Sequence, residues 1–419
     1  MYPLKHTQDL DALIDDIGDS SVVMLGEASH GTHEYYTWRA TITQRLILEK
    51  GFNFIAVEGD WPDCYNINRY IKSYDETPGS AKEVLMKFDR WPTWMWANWE
   101  IAALADWLKQ YNSTLEADKK VGFYGLDVYS LWDSMREIVN YLEKEDPAAA
   151  VVVRQAIQCF QPYEENEEAY ARVSLTKHSC RDKVLNLLRE IRSRAQHLSG
   201  DREAGFSTEQ NALIAVNAEN YYRSMMSFDN ESWNVRDRHM METLDRLLKF
   251  HGSGAKAVVW EHNTHIGDAR ATDMARAGMI NLGQLAREQY GGSSVYLVGF
   301  GSYEGTVIAS QGWGSLMQVM KVPPAREGSI EDLLHKEEAE DRYLLFSKGS
   351  LAEKLKNSIL HRAIGVVYNP AGDRYGNYTP SVMPKRYDAF VFLDKTTSLH
   401  PMHLRPHYEK VPETYPFGF

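Results

Sequence analysis

Val22-Val23-Met24-Leu25-Gly26-Glu27-Ala28-Ser29-His30-Gly31 is the stretch from which the rest of the chain can be read. Its four apolar residues make a short buried strand. A helical pattern starts a few residues later, near Glu34. A carboxylate and an imidazole therefore lie three residues apart on a strand-to-helix turn, between Gly26 and Gly31. Glycine admits positive φ and leaves room for a ligand at the backbone. Open α/β sheets place their ligand sites at this end of a parallel strand. The purely structural alternative makes Glu27 and His30 caps of the next helix.

Outward from this turn the pattern recurs. Residues 34–50 have helical spacing, with Gly51 as the stop. A second strand at 53–57 ends in Glu58-Gly59-Asp60, and Pro62 opens a helix. Four tryptophans fall within Trp91–Trp99. They read either as core plugs or as an aromatic wall for a substrate, with Trp94 and Trp96 the candidates. A helix at 98–111 precedes a third strand, 121–126, that ends in Asp127, and a further helix follows at 130–145. Between 146 and 251 helical periodicity dominates, punctuated at 199–202 and 205–207. A fourth strand at 257–260 leads into Glu261-His262-Asn263-Thr264-His265. A helix at 282–290, a fifth strand at 294–300, a returning strand at 306–309 and later candidates at 344–346, 363–368 and 389–393 complete the pattern. These late strands lack long intervening helices, which predicts a mixed sheet. The expected fold is α/β: a mixed, largely parallel central sheet flanked by helices. Residues 1–145 and 252–419 form its core, and 146–251 form an all-helical insertion or lid over the cleft.

Composition narrows the function. The 419 residues are 43% hydrophobic and 25% charged, as in a soluble globular protein. A net charge of −12 and a pI near 5.7 argue against nucleic-acid and anionic-membrane partners. The N-terminus lacks the apolar stretch of a signal peptide, and no apolar run is long enough for a bilayer. Cys64, Cys159 and Cys180 are sparse and odd in number. They read as reduced thiols of a cytoplasmic protein rather than as a disulfide framework. Glu164-Glu165 and Glu337-Glu338-Ala339-Glu340 read as solvated faces, and His400-Pro401-Met402-His403 as local packing.

In a parallel sheet these strand ends share one edge. Glu27, His30, Glu58, Asp60, Asp127, Glu261, His262 and His265 would then meet in one cleft. Histidine can take a proton from water near neutrality. A carboxylate would fix its tautomer, and Arg39 could neutralise Glu58 or polarise a carbonyl. Ser29 lacks the Gly-x-Ser-x-Gly context of an acyl-serine, so water activated by His30 is the favoured chemistry.

With Gly-Glu-Ala-Ser-His-Gly, Val57-Glu58-Gly59-Asp60-Trp61 and Trp260-Glu261-His262-Asn263-Thr264-His265 in hand, the chain resembles the erythromycin esterase family. Weaker matches are Tyr36-Thr37-Trp38-Arg39, Gly125-Leu126-Asp127, Tyr221-Tyr222-Arg223, Val235-Arg236-Asp237-Arg238, Gly365-Val366-Val367-Tyr368 and Tyr387-Asp388-Ala389-Phe390. The resemblance implies a hydrolase of macrolide lactones without a required metal or other cofactor. His30 would be the general base, with Glu27, Arg39, Glu58, His262 and His265 as the other functional polar groups. Trp94, Trp96 and Asp127 are expected to line the small-molecule substrate. Two alternatives remain open. One is a metal-dependent hydrolase built on the same His/Glu cluster, although the His-Glu-x-x-His spacing is absent. The other is a non-catalytic small-molecule binder.

Overall fold

The computed structural model describes residues 1–75, 77–163, 166–174, 179–194, 202–226 and 230–403. Its strands are β1 (Tyr2–Pro3), β2 (Val22–Leu25), β3 (Phe54–Val57), β4 (Gly122–Gly125), β5 (Ala257–Trp260), β6 (Val295–Ser310), β7 (Met317–Val322), β8 (Arg342–Leu345), β9 (Ile359–Arg362), β10 (Tyr378–Ser381) and β11 (Ala389–Thr396). Nine of them form one mixed sheet in the order β1-β8-β11-β6-β2-β5-β3-β4, with β7 also on β6. The run from β11 to β4 is parallel throughout. β8, β1 and β7 join antiparallel, and β9 and β10 pair separately.

Register brings the polar strand ends together. Leu25 pairs with Trp260 and Val298, and Val57 pairs with Trp260 and Gly125. The polar residue that follows each strand therefore emerges at one edge. Alternation then sends it up or down. Val23, Leu25, Ile55, Val57, Val258 and Trp260 face one core. Val22, Met24, Phe54, Ala56, Ala257 and Val259 face the other. Helix His33–Lys50 covers the first face through Ile42, Leu46 and Ile47. Helix Glu231–His251 covers the second through Met240, Met241, Leu244 and Leu247. This last helix, read from sequence as part of the 146–251 insertion, packs directly beneath the sheet.

The helices Pro147–Phe160, Arg181–Arg194 and Arg202–Ser224 are among those that occupy the remainder of that segment. They pack on helix Leu131–Glu145 through Ile138, Leu142, Val153, Leu187, Ile191 and Leu213. The expected loop at 199–202 lies, except for Arg202, outside the described residues, as do Glu164 and Glu165. No described helix is long and apolar enough to cross a membrane.

Three expectations need correction. Cys159 and Cys180 are not thiols: their sulfurs are 2.05 Å apart in a disulfide, while Cys64 is free and buried. The strands expected at 294–300 and 306–309 are one continuous strand, β6. Its far half stays extended because Glu304 and Gly305 pair with Lys395 and Thr396 of β11 while residues 305–310 pair with β7. Residues 363–368 form only isolated bridges, to Ser29 and Ser310. The regular strand lies just before them, at β9.

Candidate functional site

Two ion-paired layers, one from each face of the sheet, meet at the strand edge. On the first face, His30 Nδ1 lies 2.8 Å from Glu27 Oε1. Arg39, reaching up from helix His33–Lys50, donates Nη2 to Glu27 Oε2 at 2.6 Å. The Arg39 guanidinium also lies against the rings of Tyr36 and Trp260, 4.4 and 4.6 Å from their centroids. All three ionisable side chains are at most 2% exposed. The carboxylate can only accept, so His30 donates through Nδ1–H, and in the neutral ring the lone pair then lies on Nε2. That Nε2 is buried and has no hydrogen-bond partner among the described residues. Of the two roles open to Arg39, neutralising Glu58 or polarising a carbonyl, the first is not the one it takes: it sits on the other face and pairs with Glu27.

On the second face, Arg236 from helix Glu231–His251 is the hub. Its Nη2 donates to Glu58 Oε1 at 2.6 Å and to Asp127 Oδ2 at 2.7 Å. Nε donates to Asp127 Oδ1 at 3.0 Å, and Nη1 lies 2.9 Å from His265 Nε2. Glu58 Oε2 accepts the backbone N–H of His262 at 2.8 Å. Burial resists ionisation of Glu58, but the Arg236 guanidinium and the His262 backbone N–H outweigh it and hold its carboxyl far below the usual range. His265 Nδ1 lies 3.0 Å from both Asp237 oxygens, and its ring stacks on Trp233 with centroids 4.5 Å apart. Burial opposes the imidazolium of His265, while Asp237 and Glu58 favour it. A guanidinium offers hydrogens only. The Arg236 contact therefore fixes His265 Nε2 as an acceptor and puts the ring proton on Nδ1, toward Asp237.

His262 joins the layers. Its ring centroid is 5.0 Å from that of His30. Its Nδ1 accepts the Thr264 backbone N–H at 3.3 Å. Burial pushes its basicity well below the ordinary histidine range. It is thus a neutral imidazole with its proton on Nε2.

Glu261 follows Trp260 and turns to the second face. It is 1% exposed, and neither carboxyl oxygen has a hydrogen-bond partner among the described residues. Burial raises its carboxyl well above the ordinary value, and Glu58 and Asp237 push it further the same way. Its surroundings favour the neutral acid. The unfolded side chain ionises near 4.5, so stability is lost as pH rises from there toward the raised folded value. Glu261→Gln keeps the neutral shape and removes that loss. Its melting midpoint is expected to exceed the parent's at pH 8 and to match it near pH 4; equal midpoints at both values would show an ionised Glu261.

The structure thus brings together Glu27, His30, Arg39, Glu58, His262 and His265. It places the other three candidates differently. Trp94 is fully buried and packs edge-on to Trp91. Trp96 is 3% exposed and donates its indole N–H to the Glu58 carbonyl at 2.9 Å. These rings are core under a loop, since a large aromatic surface is worth most when buried. Asp127 is fully buried and occupied by Arg236. Gly26 and Gly31 adopt no positive φ. A side chain at 26 would strike Asn263, and one at 31 the Ile308 backbone, so both glycines serve close packing. The carboxylates Glu27 and Glu58 are held by arginines and imidazole or backbone N–H groups. Among the described residues, the group of His, Cys, Asp and Glu whose ligand atoms converge as a metal would require is His33, Glu100 and His400, none of which belongs to the two layers.

An open, mixed α/β sheet with imidazoles, carboxylates and guanidinia gathered at the C-terminal strand edge defines the class. A family model described as erythromycin esterase matches residues 47–396. The chain belongs to the erythromycin esterase family. The matched span includes Glu58, Asp127, Arg236 and His262, and begins after Glu27, His30 and Arg39. "Putative hydrolase YbfO" of Bacillus subtilis (strain 168) is 21% identical over 94% of this chain and 90% of that protein. "Erythromycin esterase type II" of Escherichia coli is 22% identical over 79% and 81%. Among solved structures, a Bacillus cereus protein superposes with a TM-score of 0.79 at 21% identity, covering 96% of each chain. A mutant of the erythromycin esterase EreC, in its open conformation, gives 0.69 at 16% identity over 94% of this chain and 95% of that one. These similarities show the fold, and family membership suggests a hydrolase.

Proposed function

We propose that the chain hydrolyses an ester or lactone of a small organic substrate, with water activated by His30. The observation that carries this reading is the ordered chain Arg39–Glu27–His30, which ends in a buried, unpartnered Nε2. In the reaction, that nitrogen takes a proton as the water oxygen bonds to the carbonyl carbon. The tetrahedral intermediate then breaks its bond to the leaving oxygen, and the imidazolium returns the proton to it. Glu27 orients the ring and stabilises the imidazolium; Arg39 holds Glu27 in place. The neutral His262 beside it adds no charge to oppose the proton's arrival. Names among the relatives point to macrolide lactones as the first compounds to try.

The test is turnover of a panel of macrolides, small lactones and simple esters, followed as acid release with and without a chelator. Acid released in proportion to enzyme, and unchanged by chelation, supports the reading. Release abolished by chelation would move it to a metal-dependent hydrolase. Ligand binding without any release would leave a binding protein.

A further inference from the structure

We infer that His33, Glu100 and His400 form a binding site for one divalent transition-metal ion, of the zinc class, on the outer face of the molecule. His33 opens helix His33–Lys50, Glu100 sits in the first turn of helix Trp99–Asn112, and His400 lies on the C-terminal stretch beside it. The Nδ1 atoms of both histidines are 2.6 Å from one oxygen, Glu100 Oε1. Ligand atoms of all three lie within 4.8 Å of one another. The second Glu100 oxygen is buried without a hydrogen-bond partner among the described residues, on a side chain only 5% exposed. Buried polar atoms are rarely left so. Two imidazoles crowding one carboxylate oxygen, with the other oxygen unused, are better satisfied by a cation that takes lone pairs from all three.

Imidazole and carboxylate together suit zinc, which binds them at about 2.0–2.2 Å. The ligand atoms must then spread to about 3.3 Å, a distance set by the tetrahedron. His400 is 63% exposed and can make that move. The backbone under the three ligands is already tied together. Trp99 N–H donates to the His400 carbonyl at 3.1 Å, and His33 N–H to that of Thr397 at 2.9 Å. A groove of about 350 Å³ opens on the same three residues, bordered by Thr37, Gln44, Trp99 and Leu104. It leaves room for a fourth ligand, a water or an oxygen of a small anion. The reading of His400 as mere packing, which its sequence context suggests, misses partners 300 and 367 positions away.

The experiment uses the full chain, stripped with chelator and titrated with cobalt(II). One equivalent is expected to produce the visible bands of four-coordinate cobalt. Zinc should bleach them and raise the melting temperature. His400→Ala, at an exposed position, and Glu100→Gln should each weaken binding by about tenfold or more, the scale on which even outer-shell changes act. His262→Asn should leave the cobalt spectrum intact. The proposal is overturned if wild type shows no saturable cobalt band, if His400→Ala keeps full affinity, or if the band vanishes in His262→Asn instead.

Discussion

A His30→Asn chain is expected to fold like the parent and to hydrolyse the substrate found by the panel about 10²- to 10⁴-fold more slowly, the range a positioned general base contributes. Asparagine still offers an N–H toward Glu27, so the buried Glu27–Arg39 pair keeps a donor on each side. What is lost is the lone pair on His30 Nε2. Glu27→Gln makes a sharper test of the same chain. A glutamine has one acceptor oxygen, and Arg39 Nη2, 2.6 Å from Glu27, requires it. The amide NH₂ then faces His30 Nδ1, which must become an acceptor, and the ring proton moves to Nε2. The base is removed without touching the histidine. A loss of about 10⁴-fold accompanies this kind of tautomer reversal elsewhere. Adding Arg39→Met frees the amide oxygen to turn back toward His30, so the double variant is expected to recover part of the activity lost by Glu27→Gln. Circular dichroism and melting midpoints establish that each variant is folded. Unchanged turnover in His30→Asn, or a double variant slower than Glu27→Gln alone, would remove His30 from the reaction as described.

Much of this site was legible in the sequence, for a definite reason. Glu27, His30, Glu58 and His262 directly follow or lie close to short apolar runs, and parallel register gathers such positions at one edge whatever the loops do. Arg236 and Asp237 follow no strand; they entered only through the weak match of Val235-Arg236-Asp237-Arg238, which gave them no role. They lie in a helix rich in charge, Glu231–His251, where a polar residue usually faces water. The partners of Arg236, Asp127 and Glu58, are 109 and 178 residues away, and Asp237 meets His265 28 residues on. Only the alternation of side chains across the sheet shows that Glu58 turns toward that helix. The Cys159–Cys180 bond was missed because its 21-residue spacing acquires meaning only once the end of helix Pro147–Phe160 lies beside the residue that precedes helix Arg181–Arg194. Trp94 and Trp96 were legible as large aromatics beside the site, and size alone does not tell a wall from a plug.

The largest expected effect on stability belongs to Arg236→Met. The guanidinium is fully buried among Glu58, Asp127 and His265, and it lies 5.1 Å from the Tyr129 ring centroid. Methionine fills much of the volume but leaves two buried carboxylates without their cation. Breaking a buried pair in this way costs about 3–5 kcal/mol, a large share of the stability of an ordinary domain. The expected result is a soluble chain at best, with a greatly lowered urea midpoint. Arg236→Lys should recover little, because an ammonium cannot serve Glu58, both Asp127 oxygens and His265 at once. The pH dependence gives the mechanism its own check. Glu58, held far below the usual carboxylate range, contributes stability above about pH 4.5, its unfolded value, and loses it as pH falls through the folded value. In Arg236→Met the stranded carboxyls are relieved by taking up protons. The gap between parent and variant should therefore be widest near neutrality and narrow below pH 4.5. Asp127→Asn added to Arg236→Met should restore part of the loss, since the two residues share one network and their effects cannot simply add. A gap that stays constant with pH, or a double variant as unstable as the sum of the singles, would mean that Arg236 acts through packing and not through the charges it balances.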